Sequence, residues 1–302
     1  MIPDQTDLSV IIPTWNRQPL LAHTLEALTH QSTDKATFEV VVIDNNSADD
    51  TAEFLADVAR DYPLPITVAT ETNPGTASAK NKAASLARGK ALLFIGDDTE
   101  PATSNLMERH AELHRNSSEN SLFVGRIDWT PKKAITPFME WLTTEGPQFH
   151  FDDIEAGLVD PSSYFYGSHS SIKRSFFEST GGFDGRFRGA YEDVEYGDRL
   201  ERNGATLEFH PELIVWHDHP TDLEQSLSRM ERVGRSGAEY NNLYPDRPHP
   251  AIGAPSALRC NVLRAADPIL RVTPGKKALW LRHLGRYARG YRAQLSNGWE
   301  GS

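Results

Sequence analysis

Up to Ile95 the chain repeats one pattern: a short apolar run, a polar residue where the run stops, and then a stretch of helical periodicity. Leu8 to Pro13 reads as a buried strand, and Leu20 to Leu28 then carries apolar residues at helical spacing. Phe38 to Ile43 is a second strand that ends at Asp44 and is followed by a helix over Asp49 to Tyr62. Pro65 to Ala69 and the small-residue helix Thr76 to Arg88 repeat the unit, and a fourth strand, Ala91 to Ile95, runs into Gly96-Asp97-Asp98. Short apolar strands alternating with helices predict an α/β fold, a mainly parallel sheet flanked by helices on both faces. In such sheets ligands collect beyond the carboxyl ends of the strands, which is where Thr14, Asp44 and Asp97 fall, so three polar residues converge on one crevice.

Beyond Pro101 a polar helix over Leu106 to Arg115 and a strand over Ser121 to Trp129 are readable, whereas the proline-punctuated aromatic region from Pro131 to Phe165 shows no clear order. Leu207 to Trp216 reads as another strand and Leu223 to Tyr240 as an arginine-rich helix. Pro245 to Pro255 contains four prolines and reads as a linker to a basic helical tail. Residues 1–220 are therefore expected to form the α/β domain and 221–302 a helical extension. The tail places Trp280, Leu284, Tyr287, Tyr291 and Leu295 at helical spacing with Arg282, Arg286 and Arg289 around them. That amphipathic helix is suited to packing on an acidic body, to pairing two copies as a homodimer, or to peripheral contact with an anionic membrane.

The net charge of −11 hides an asymmetry, since the last 52 residues hold nine Lys and Arg against Asp267 and Glu300, a net of +7 that leaves −18 upstream. An acidic body without basic runs interleaved with aromatics argues against nucleic acid as a partner. The single cysteine, Cys260, excludes an internal disulfide and a Cys-cluster zinc site. With no basic-then-apolar leader and no run near the roughly 18 apolar residues of a spanning helix, the expectation is a cytoplasmic protein, at most peripheral at the inner membrane face.

Two acidic pairs carry the chemistry. Asp97 and Asp98 at a strand end offer hard oxygens to Mg²⁺ or Mn²⁺, with one aspartate free to hold a ribose hydroxyl, although Gly-Asp-Asp-Thr also suits a turn. Glu192 and Asp193 follow the glycine-rich Gly181 to Gly185 at the start of a helix, whose dipole favours their ionised forms for general-base work and whose N-terminus equally calls for capping acids. Asn73-Pro74-Gly75 precedes a small-residue helix start that permits close ligand approach, with Lys80 in reach of a phosphate or sugar. His217 and His219, two apart at a strand end, face one side and suit a metal shell begun by Asp98, or else are edge histidines bonded to loop backbone. The Gly-Lys-Ser/Thr ending of a Walker loop and the Gly-x-Gly-x-x-Gly fingerprint are both missing.

Taken together, Ser9-Val-Ile-Ile-Pro-Thr-Trp-Asn-Arg17, Val42-Ile-Asp-Asn-Asn-Ser47, Asn73-Pro-Gly75, Gly96-Asp-Asp98, Gly181-Gly-Phe-Asp184 and Glu192-Asp193 resemble family 2 glycosyltransferases of the GT-A fold, in order and over about residues 8 to 220. The resemblance implies inverting transfer of a sugar from a nucleoside-diphosphate sugar, commonly a UDP-sugar, with Mn²⁺ or Mg²⁺. Carried over residue by residue, it implies that Pro13, Thr14 and Asp44 hold the nucleobase, Asp97 the ribose and Asp98 the metal. Arg17, Asn73, Gly75 and Lys80 join the donor site, Gly167, Ser168 and His169 approach the donor sugar, and His217 or His219 touches metal or diphosphate. Asp193 is the implied base and Glu192 contacts the acceptor. Gly96 stands where many relatives carry the first aspartate of Asp-x-Asp, which leaves Asp98 as the main metal ligand. The Gln-x-x-Arg-Trp motif of processive polymerases is missing, which implies single additions. The acceptor is a glycan, a lipid-linked sugar or a small molecule, and surface glycan or glycoconjugate biosynthesis is the expected setting. Two rivals share these features: a nucleotidyltransferase, which would release pyrophosphate, and a non-catalytic nucleotide- or glycan-binding module.

Overall fold

The computed structural model describes residues 6–247 and 254–296, so the middle of the expected Pro245 to Pro255 linker lies outside the described residues. The alternation is present: β1 (Thr6–Thr14), α1 (Gln18–Thr29), β2 (Phe38–Asp44), α2 (Thr51–Asp61), β3 (Ile66–Thr70), α3 (Thr76–Leu86) and β4 (Gly89–Ile95) follow in order. Next come β5 (Thr99–Pro101), α4 (Leu106–Arg115), β6 (Ser121–Trp129), α5 (Pro137–Thr144), β7 (Gly157–Val159), α6 (Pro161–Tyr164), β8 (His169–Lys173) and α7 (Arg174–Ser179). The chain continues through α8 (Glu192–Arg202), β9 (Thr206–His217), α9 (Leu223–Leu243), α10 (Ala257–Val272) and α11 (Lys276–Ser296).

The strands form one sheet in the order β3-β2-β1-β4-β8-β6-β9-β5, with β7 beside β9. β1, β2, β3 and β4 are mutually parallel, and β6 and β9 are parallel to each other, while β8 runs antiparallel between β4 and β6. Val10, Ile11 and Ile12 of β1 and Leu92, Leu93 and Phe94 of β4 are fully buried, as strands covered on both faces require; each such side chain contributes about 1.5–3 kcal/mol on leaving water. The register pairs Thr14 with Asp44 and Ile95 with His169, so the ends of β2, β1 and β4 and the start of β8 lie side by side along one edge of the sheet. That edge carries the site.

β8 escapes sequence reading for a physical reason. His169-Ser-Ser-Ile-Lys173 has no apolar periodicity, yet His169, Ser170 and Ser171 are fully buried at the centre of the sheet. Partners from α4 make this tolerable for Ser171 and His169: His110 Nδ1 and His114 Nε2 each lie 2.9 Å from Ser171 Oγ, and His110 Nε2 lies 3.4 Å from His169 Nε2. Burial holds these imidazoles neutral, pulling His169 down to about 4 and His114 to about 3, with His110 also well below the ordinary histidine range.

The described chain divides into two compact units, one of residues up to Ala134 with Phe151–Arg186 and Glu192–His219, the other of Ile135–His150, Phe187–Tyr191 and the chain from Pro220 onward. The second unit thus takes in α5 and a short segment before α8, both of which the sequence pattern places in the first domain. The reason is aromatic: Trp141 of α5 packs edge-on to Trp280 and beside His283 of α11, at ring centroid separations of 6.2 and 5.2 Å. Within this unit α9 begins with a capping box, Asp222 and Gln225 bonding each other's backbone N–H. Among the described residues no helix is long and apolar enough to cross a membrane.

The buried histidines set a pH limit on stability. An unfolded histidine takes up a proton near 6.5, whereas His169 and His114 in the fold do so only at about 4 and about 3, so below about 6.5 the unfolded chain binds more protons and stability falls as the pH drops. His169 alone accounts for a loss on the order of 3 kcal/mol by pH 4 at about 1.4 kcal/mol per unit. The melting temperature is expected to be flat from pH 8 to about 7 and to fall steeply from 6.5 to 5; a flat profile over that lower range would contradict the neutral cluster.

Candidate active site

The end of β4 delivers Asp97 and Asp98 to the sheet edge, both buried. Three separate parts of the chain meet them. Thr14 Oγ1, from the end of β1, donates to Asp97 Oδ2 at 2.8 Å, and Arg17 Nη1, just beyond, lies 3.1 Å from Asp97 Oδ1 and 2.8 Å from Asp98 Oδ2. Thr24 of α1 donates its hydroxyl to the Asp97 carbonyl, and the Asp218 N–H donates to the Asp98 carbonyl at 2.7 Å, tying the end of β9 to the same turn. His217 Nε2 and His219 Nδ1 then lie 3.4 and 3.5 Å from Asp98 Oδ2.

The two aspartates diverge electrostatically. Burial, and then repulsion from Asp98, pushes Asp97 up to about 6. Asp98 is buried as well, but His217, His219 and Arg17 hold its carboxyl well below the usual range. Asp98, His217 and His219 present one carboxylate oxygen and two imidazole nitrogens, all within 4.8 Å of one another. A mixed O and N donor set of this size fits Mn²⁺, and the hard carboxylate also suits Mg²⁺. A second acidic group beside it, His23, Glu100 and Asp218, has its two carboxylates paired to lysines, Glu100 to Lys132 and Asp218 to Lys133 at 2.5 Å each.

Next along the edge, the loops after β1, β2 and β3 are laced together. Asp44 Oδ1 accepts from the Ser47 N–H at 3.0 Å, and across the β1 and β2 loops the Asn16 N–H donates to Ser47 Oγ while Asn16 Oδ1 accepts the Ala48 N–H. Asn16 and Asn46 take left-handed backbone conformations, with φ of 53° and 60°, that asparagine tolerates. Asn45, which sequence reasoning did not single out, donates to the Asn73 carbonyl and accepts the Gly75 N–H, both at 2.8 Å. It thereby places the open N-terminus of α3. Pro13 is half-buried beside Ile43, and Trp15 stands 60% exposed between Thr14 and Asn16.

On the other side, α3 organises the second acidic pair. Asn81 grips the backbone of Phe183, its Nδ2 donating to the Phe183 carbonyl at 2.7 Å and its Oδ1 accepting the Phe183 N–H at 2.9 Å. This secures the turn at Gly181 and Gly182, which have φ of 80° and 65°. Arg199 of α8 closes the turn from below, bonding the Gly182 carbonyl at 2.6 Å and the buried Glu195 at 2.7 Å. Lys80, one residue before Asn81 and buried, reaches Glu192 Oε1 at 3.3 Å with its ammonium over the Phe183 ring. Gly167 fits against it: a Cβ there would stand 2.3 Å from Lys80 Nζ and 3.7 Å from Asp193 Cβ. Asp193 lies in the first turn of α8 and accepts the Val194 N–H at 2.9 Å. Tyr191, immediately before α8, has φ of 74°, an uncommon conformation for an aromatic residue of the kind that gathers at functional sites. Nothing in its sequence context signals it.

Lys80, Gly167, Glu192 and Asp193 are thus brought together, as are Thr14, Arg17, Asp97, Asp98, His217 and His219, and Asp44, Asn73 and Gly75 stand on the adjoining loops. Ser168 is half-buried between Gly167 and the start of β8. His169 departs from the expected place beside a donor sugar: it is fully buried, its Nδ1 3.1 Å from the Arg126 carbonyl and its Nε2 against His110. The inward face of a central strand takes its side chain into the core.

A mainly parallel sheet with an aspartate pair at its carboxyl edge and a second acidic pair at a helix N-terminus suits group transfer, and the family comparison narrows the class to glycosyltransferases. Residues 9–181 match the family model described as glycosyl transferase family 2; the chain belongs to that family. It is 28% identical to an uncharacterized glycosyltransferase of Bacillus subtilis over 82% of this chain and 74% of that one. To the validoxylamine A glucosyltransferase of Streptomyces hygroscopicus subsp. limoneus it is 30% identical over 66% of this chain, which spans about half of that protein's length. Among solved structures, a mannosyltransferase from Pyrobaculum calidifontis in complex with GDP-Man and Mn²⁺ superposes with a TM-score of 0.65 at 18% identity, covering 98% of this chain and 88% of that one. The fold is therefore that of GT-A glycosyltransferases.

Two substitutions separate the roles at the acidic edge. Asp98→Asn should weaken Mn²⁺ binding by about tenfold or more, since it removes the carboxylate of the donor set. Arg17→Gln should strengthen binding of the ion alone, because a cation 2.8 Å from the ligand oxygen is removed. Calorimetry with MnCl₂ and no nucleotide reads both, and unchanged affinity in Asp98→Asn would take Asp98 out of the ligand set.

Proposed function

We propose that the protein is a metal-dependent inverting glycosyltransferase. It moves a sugar from a nucleoside-diphosphate sugar, with UDP-sugars the first expected donors, to a hydroxyl of a glycan, lipid-linked or small-molecule acceptor in surface glycan or glycoconjugate biosynthesis. The observation that carries this reading is the pairing of two distinct carboxylate sets on one sheet edge: Asp97 and Asp98 facing cations and hydroxyls, and Glu192 and Asp193 in the first turn of α8 beside Lys80. Family membership supports it, and the Mn²⁺ and GDP-Man bound by the Pyrobaculum mannosyltransferase support the metal and the donor class.

In this reading the exposed Trp15 ring offers a face for a nucleobase to stack on, with Pro13, Thr14 and Asp44 around it. Asp97, aligned by Thr14 and Arg17, accepts from a ribose hydroxyl. Asp98, His217 and His219 would hold the ion, which when bound offsets charge on the diphosphate. The N-terminus of α3, opened by Asn73 and Gly75, and Lys80 supply positive potential on the sugar side. Asp193, ionised and favoured by the α8 dipole, takes the proton of the acceptor hydroxyl. The acceptor oxygen bonds to the anomeric carbon as the bond to the diphosphate oxygen breaks, and the electron pair leaves with the nucleoside diphosphate, inverting the centre. Glu192, held by Lys80, orients the acceptor. Arg17, bonded to both aspartates, keeps their carboxylates aligned for the donor.

Thermal shift with UDP-, GDP-, dTDP- and CDP-sugars, each with and without Mn²⁺, is expected to show metal-dependent stabilisation by one nucleotide class. With that donor, Asp193→Asn should lower transfer by a factor on the order of 10³ while sparing donor affinity. Near wild-type turnover in that variant would remove Asp193 from the base role. Release of pyrophosphate in place of nucleoside diphosphate would overturn glycosyl transfer itself.

A further inference from the structure

The basic amphipathic pattern of α11 directs attention to that helix, yet most of its apolar side is buried inside the second unit, with Leu295 near its end left 62% exposed. Tyr287 and Tyr291 pack with Met230 and Ala238 of α9, and Leu284 packs with Cys260 and Leu263 of α10. The face left open belongs to α10. Leu258, Val262, Ala265, Ile269 and Val272 follow one another at intervals of four, three, four and three residues, which keeps them on one side of a helix. Cys260 and Leu263 point the other way, into the unit. Leu258 is 75% exposed, Val262 57%, Ile269 68% and Val272 81%. A continuous apolar stripe of this kind marks a docking surface.

Charge indicates what docks there. Arg259 and Arg264 flank the stripe, are exposed, and make no ion pair among the described residues; exposed Lys277, at the start of α11, makes none either. The sole acid of α10, Asp267, is taken by Arg271 at 2.8 Å. A second copy meeting this face about a two-fold axis would set arginine against arginine, which like-charge repulsion opposes. An anionic bilayer offers acyl chains to the stripe and headgroup phosphates to the cations. We propose that α10 docks the protein on an anionic lipid bilayer, its apolar stripe at the acyl boundary and Arg259, Arg264 and Lys277 on lipid phosphates. This contact is independent of the transfer reaction and stands or falls without it.

Flotation of the full chain with phosphatidylcholine vesicles, with and without phosphatidylglycerol, tests it. The wild type is expected to float with the anionic vesicles and to stay behind with neutral ones. Val262→Glu with Ile269→Glu, both at exposed positions, should lower the floated fraction about tenfold with an unchanged melting temperature. Arg259→Glu with Arg264→Glu should do the same without touching the stripe. No flotation of the wild type, or flotation that neither pair of substitutions reduces, overturns the proposal. A concentration-dependent dimer in sedimentation velocity that Val262→Glu with Ile269→Glu dissolves, without any flotation, would give the face to a second copy instead.

Discussion

Two adjacent carboxylates buried at a strand end are unfavourable unless cations meet them, and the architecture of the first unit answers that demand. Asp97 and Asp98 are both met by the Arg17 guanidinium from the β1 loop, and Asp98 also by the imidazole nitrogens of His217 and His219 at the end of β9. At separations of 2.8 to 3.5 Å, with 38% of the Arg17 side chain and 36% of the His219 side chain still exposed, these contacts are screened less than surface pairs and more than buried ones. They require β1, β4 and β9 to end at the same place, although the residues concerned lie far apart in the chain. The sheet order supplies this, and a transferable consequence follows: groups arranged to receive a cation also stabilise the edge that presents them.

α3 plays the matching part for the second acidic pair. Consecutive residues do different work: Asn81 clamps the Phe183 backbone, and Lys80, turned toward the sheet edge, pairs with Glu192. Below them Phe183 meets Phe94 edge-on at 5.2 Å and Tyr196 at 4.8 Å. The glycine turn that precedes α8 is therefore anchored by core aromatics on one side and by side-chain amides on the other. The base proposed at the start of α8 would gain from that rigidity, because proton transfer needs the carboxylate held within hydrogen-bond reach of the group it deprotonates.

The second unit shows how a helix can carry an amphipathic signature and still not be the exposed one. α11 has the stronger aromatic pattern, so it is the helix that the others bury, and α10, with smaller aliphatic residues, is left facing solvent on one side. Packing follows the larger apolar payload.

Much of this was legible in the residues alone. The first four strands and their helices follow from apolar runs interrupted at Thr14, Asp44 and Asp97, and α4 and β6 were readable to the residue, since local periodicity and strand-end polarity are properties of neighbours in the chain. The family and its acidic pairs were also visible, because their spacing is linear. What only the tertiary structure decided are the matters that depend on distant partners. β8 is a central strand because histidines of α4 bond its buried Ser171, and His169 is a core residue because His110 and the Arg126 carbonyl meet its ring. Arg17 belongs on Asp98, Lys80 on Glu192 and Asn45 on the α3 loop because sheet order, which no local pattern encodes, sets those loops side by side.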